Sequence, residues 1–77
     1  MAEDVRHMVG LAVKRLRLAA NMSQAELATR MGVDRSYISG LELGLRNPTV
    51  VTLWHVGKAL RVPLVSFFEE KGRSGGK

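Results

Sequence analysis

The chain has 77 residues, 12 of them Lys or Arg and 7 Asp or Glu, for a formal charge of +5. That length is one domain near the lower limit for a self-sufficient core, with no room for a separate catalytic or ligand-binding domain. The lack of cysteine excludes disulfides and thiolate metal sites, 45% hydrophobic with only 5% aromatic residues suits a helical bundle, and the basic balance favours a polyanionic partner without requiring one.

Residues 1–4 show no periodicity and are expected to fray. The start, MAEDVRHM, is acidic and lacks the apolar run of a secretory signal, and the longest apolar stretch, Met8 to Val13, is too short to span a bilayer. A soluble cytoplasmic protein without membrane partners is expected. From Val5 to Ala20, the residues Val5, Val9, Ala12, Leu16 and Ala19 gather on one face of a first helix, flanked by Met8, Val13 and Ala20. Leu11 and Leu18 lie on another side, where they either make a second core contact, the commoner outcome on amphipathic helices, or stay partly exposed. Arg6, Lys14 and Arg15 read as a solvated face.

Asn21 and Met22 lead to the stretch on which the rest is organised, SQAELATRMGVDRSYISGLE. Ser23 and Glu26 form S-x-x-E, in which the hydroxyl takes an amide hydrogen of the first turn and the carboxylate reaches back to the serine amide. A second helix therefore runs from Gln24 to Met31, with Leu27, Ala28 and Met31 inward. Gly32 closes it, being the residue that most easily takes the left-handed conformation. Asp34 is placed to cap a third helix whose inward residues are Ile38 and Leu41, with Val33 plugging the corner. The next segment, LGLRNPT, reads as a loop, and Thr49 caps a fourth helix from Val50 to Leu60 with Leu53, Val56, Gly57 and Leu60 inward. Trp54 falls outside that stripe. A short last helix, Leu64 to Glu70, follows Pro63, and KGRSGGK at 71–77 reads as disordered.

The small Ala28, the bend at Gly32 and the shared apolar set Leu27, Met31, Val33, Ile38 and Leu41 are what a helix-turn-helix needs. SQAELATRMGVDRSYISGLE followed by RNPTVVTLWHVGKAL resembles the lambda repressor and Cro type of DNA-binding domain, the XRE family, over residues 9–69. Within it, DRSYISGLE-x-G-x-RNPT most closely resembles the controller proteins of restriction-modification systems. The resemblance implies an all-α, five-helix, lambda-repressor-like fold over 5–70. It also implies a pairing of Arg17 with Glu42 that props one helix against another, and a backbone-contacting segment at Arg46, Asn47 and Thr49. A controller would act on its own promoter.

A helix fits the major groove of B-form DNA, where base pairs differ in donors, acceptors and the thymine methyl. With Ile38 and Leu41 inward, Ser36, Ser39 and Leu43 point outward and Arg35 and Gly40 lie on the shoulders. Arg35, at the end that enters the groove first in this family, is the expected base reader, pairing most naturally with guanine. Ser36 and Ser39 reach a base edge or phosphate only if the backbone comes close. Gly40 permits that approach or is simply tolerated, and Tyr37 is either core or a contact through its hydroxyl. Leu43 touches a thymine methyl or nothing. Ser23, Gln24 and the amides beside them form an expected phosphate site at a positive helix end.

So small a reader needs a symmetric dimer on an inverted repeat to be selective. Trp54, Val65 and Phe68 supply apolar surface for it, or else pack internally, while Phe67 is expected in the core. Two other functions compete: a general phage or bacterial repressor or antitoxin of this fold, and a protein-interaction module that has lost DNA binding. An enzyme is not expected, because His7 and His55 are isolated and no carboxylate pair sits in a plausible cleft. No metal, cofactor or small-molecule ligand is expected either.

Overall fold

A computed structural model describes residues 4–69. The expected loose ends at 1–3 and 71–77 lie outside the described residues, as does Glu70. Asp4 is already part of the fold. Its carboxylate accepts the Arg6 amide at 2.9 Å and caps α1, Val5–Ala19. The Arg6 guanidinium, 3.0 Å away, holds that carboxyl below the ordinary range.

Ser23 and Glu26 close both arms of the capping box. The Ser23 hydroxyl accepts the Glu26 amide at 3.0 Å, and the Glu26 carboxylate accepts the Ser23 amide at 2.7 Å. This starts α2, Gln24–Met31, and Gly32 stops it at φ 73°. Such an angle costs a side-chain-bearing residue about 1–2 kcal/mol. Asp34 sits at the N-cap of α3, Arg35–Glu42, but its side chain makes no capping hydrogen bond. Thr49 caps α4, Val50–Leu60, by accepting the Thr52 amide at 3.1 Å.

The last element, α5, is a 3-10 helix at Leu64–Phe68 rather than a full α-helix. Five residues cannot sustain the longer ladder, and Ser66 donates to the Pro63 carbonyl at 3.0 Å, three residues back. No strand occurs among the described residues, and no helix there is long and apolar enough to cross a membrane.

The core joins Val9, Ala12 and Val13 of α1 to Leu27, Ala28, Ile38, Leu41, Leu53, Val56, Leu60 and Phe67. α1 is rotated from its expected seating. Val13, expected on the flank, is fully buried, whereas Val5 and Ala19, expected inward, are exposed. Leu11 and Leu18 make no second core contact and are 52% and 55% exposed. Val33 closes the corner only partly, at the edge of solvent exposure.

Gly10 explains the rotation. A methyl group there would sit on the Leu41 and Glu42 carbonyl oxygens, 2.8 Å from the latter. The last turn of α3 therefore rests directly on the α1 backbone, which turns the Gly10 side of α1 toward α3.

Candidate nucleic-acid interface

Arg17 leaves that same side of α1 and is 6% exposed. Its Nε donates to Glu42 Oε2 at 2.6 Å, Nη2 to Oε1 at 3.1 Å, and Nη1 to the Met22 carbonyl at 2.7 Å. A fork of this kind is both strong and directional. Gln24 adds a third strut, its Nε2 donating to Glu42 Oε1 at 3.0 Å. Among the described residues no buried side-chain nitrogen or oxygen lacks a partner, so the two buried charges are fully compensated. One carboxylate at the end of α3 thus ties α1 to the start of α2, and Arg17 adds the α1–α2 turn through the Met22 carbonyl.

The clamp leaves the opposite face of α3 to solvent. Ile38, Leu41 and Glu42 turn inward, Arg35, Ser36 and Leu43 are exposed, and Ser39 and Gly40 are half-buried. Tyr37 is half-buried and packed against the core. Arg35 stands at the first position of the helix with its guanidinium outside the bundle.

The space over Gly40 is not bare. A Cβ there would lie 3.1 Å from Arg46 Nε and 3.3 Å from Arg46 Cγ, and Arg46 Cζ lies 5.3 Å from the Tyr37 ring centroid. Arg46 therefore folds back from the α3–α4 loop along the helix, and Gly40 is the notch it lies in. That side chain lies over the Gly40 backbone, where the sequence leaves room for a close approach. A glycine in mid-helix with an arginine six residues later is the only sequence signal of this arrangement, and it does not fix the path of the loop.

Ser23 and Gln24 are partly committed. The Ser23 hydroxyl and amide are used in the capping box, and the Gln24 side chain is turned to Glu42. The main-chain amides of Gln24 and Ala25 have no partner among the described residues and point out of the first turn of α2. They are the groups there able to hold a phosphate. Asn47 is exposed on the loop, and the Thr49 hydroxyl is shared with Thr52 Oγ1 at 3.1 Å.

A separate apolar surface lies on α4 and α5. Trp54, Val65 and Phe68 are 49%, 57% and 44% exposed, so ordinary core packing does not account for them, whereas Phe67 is fully buried. Lys58 Nζ sits 4.8 Å from the Trp54 ring centroid. Sequence reasoning passed over Val50 and Val51, which are as exposed as Val65. Their signal was a valine pair directly after a cap, one turn before Trp54. Val50 and Phe68 also line a shallow apolar cleft with Val5, Val9, Pro48 and Leu53.

A short helix clamped at its end by a second helix, with a free arginine at its start and an outward face of small residues, defines the helix-turn-helix class. The chain belongs to the helix-turn-helix family HTH_3, whose model matches residues 13–67. It is 44% identical over 59 residues to y4dJ of Sinorhizobium fredii, an HTH-type transcriptional regulator, covering 77% of each chain. It is 38% identical over 63 residues to the control protein C.BamHI of Bacillus amyloliquefaciens, covering 80% of this chain and 78% of that one. Among solved structures it is similar to the restriction-modification controller protein C.Esp1396I, a tetramer in complex with its natural 35 base-pair operator. The TM-score is 0.77 at 37% identity, covering 87% of this chain and 88% of that one.

Proposed function

We propose that the chain is a sequence-specific DNA-binding transcriptional regulator that grips an inverted repeat as a symmetric dimer. The observation that carries this reading is the free face of α3, with Arg35 exposed at its leading end and its trailing end locked by Arg17 and Glu42. Two such helices on a two-fold axis reach successive major grooves, about 34–36 Å apart. Arg35 reads a base there, with Ser36, Ser39 and Tyr37 beside it, while the Gln24 and Ala25 amides, Ser23, Asn47 and Thr49 hold phosphates. Trp54, Val65 and Phe68 meet their counterparts at the axis, joined by Val50. The regulator works in the cytoplasm without cofactor or catalysis.

The controller role is supported by the similarity to C.BamHI and to the operator-bound C.Esp1396I. A gene for a methyltransferase or nuclease beside this one is what that role requires. The general reading is tested by selection from random duplexes followed by a salt titration. Enrichment of an inverted repeat, with affinity falling steeply as salt rises, is the expected outcome. A chain that enriches nothing and ignores duplexes even in dilute buffer overturns it.

A further inference from the structure

Phosphates line the rim of the major groove, whereas base edges lie on its floor. A side chain laid along the shoulder of the inserted helix, as Arg35 is, is carried in toward the floor with it. Arg46 lies along one shoulder of α3: its stem crosses Gly40 and its guanidinium rests by Tyr37, in the first turn of the helix. The outward residues nearest the leading end, Ser36 and Ser39, are too short to fill a groove, and Arg46 runs beside them over Gly40. No carboxylate among the described residues pairs with it, so its fork of donors is free. Contact with the Tyr37 ring holds the fork in place before any duplex arrives, which lowers the ordering cost of binding.

We infer that Arg46 is a second base-reading residue, pre-positioned on α3 by the Gly40 notch and the Tyr37 ring, and that its target is a guanine edge at a different base pair from that of Arg35. The inference rests on the DNA-binding reading above.

The test uses the full chain, the operator recovered by selection, and every single-base-pair variant of one half-site, each measured at low and moderate salt. Arg46→Ala should flatten preference at one base pair by about 5- to 150-fold, the worth of a two-pronged contact, while the position read by Arg35 keeps its preference. Arg46→Lys should keep most of the salt slope and still lose that preference, because an ammonium lacks the fork. Gly40→Ala puts a methyl group in the notch and should produce the same loss with Arg46 still present. A thermal melt of this variant checks that the helix stays folded, as expected since alanine is the better helix former. Combining Gly40→Ala with Arg46→Ala should add little to either alone.

An Arg46→Ala protein that binds every variant more weakly by one common factor, with its preference profile intact, overturns the inference and makes Arg46 a phosphate contact. Failure of the parent chain to bind any duplex overturns the DNA-binding reading itself, a result distinct from the first.

Discussion

Arg17 of α1 and Glu42 at the end of α3 meet at 2.6 Å in the interior, both almost wholly removed from solvent. Removing one partner strands the other charge. Arg17→Ala or Glu42→Ala should each cost about 3–5 kcal/mol, a large share of the roughly 5–15 kcal/mol available to a domain. Replacing both together with Met and Leu should cost far less than the two single losses combined. Urea unfolding midpoints of the four proteins check this.

Glu26 gives the fold an acid-sensitive edge. The Ser23 amide bonded to its carboxylate, with the Ser23 hydroxyl second, holds this group below the ordinary carboxylate range. The charged form is therefore favoured in the folded state. Its contribution is fully present above the unfolded value and is lost as pH falls through the folded one. Glu26→Gln keeps an acceptor for the Ser23 amide but no titrating charge. The gap in melting temperature between parent and variant should therefore narrow on acidification through that window.

Arg61 closes α4 at φ 62°, in the left-handed region that an arginine enters at a cost. Arg61→Gly should raise stability by about 1 kcal/mol, less the entropy a glycine adds to the unfolded chain. Thermal melts of the two proteins at equal concentration measure the difference.

Much of this architecture is legible in the sequence because its signals are local. The S-x-x-E box, Gly32 and Thr49 fix where α2 and α4 start and where α2 stops, and the stripes of α3 and α4 fix which side turns inward. What stays hidden depends on contacts between elements. The period of α1 admits Val5 and Ala19 into the buried stripe, but only the seating of Gly10 on the α3 carbonyls decides its rotation. That rotation is also why Leu11 and Leu18 face solvent. The return of Arg46 along α3 is likewise a matter of loop path. The place of Arg35 at the exposed first position of α3 was legible because Asp34 before it marks the start of that helix.

Arg35→Ala should relax base choice at one position per half-site, costing about 1–3 kcal/mol of discrimination, while leaving non-specific affinity for unrelated duplexes nearly unchanged. A uniform loss on every sequence would move Arg35 from reading to simple attraction. Competition binding against single-position operator variants distinguishes the two.

Trp54→Ala should weaken self-association by about 2 kcal/mol or more, roughly thirtyfold in the dimer dissociation constant, as truncating a central interface aromatic does. Sedimentation over a range of concentrations reads the shift. An unchanged dimer would take Trp54 out of the contact.

The two ends of α3 are held very unequally. Its heel is bolted by a carboxylate gripped by two side chains and by two carbonyls bedded on a bare stretch of α1, whereas its toe begins at an aspartate whose side chain ties no amide. A rod fastened this way takes its aim from its trailing end. The direction in which these eight residues lie is thereby handed to them largely by α1, the longest helix of the bundle.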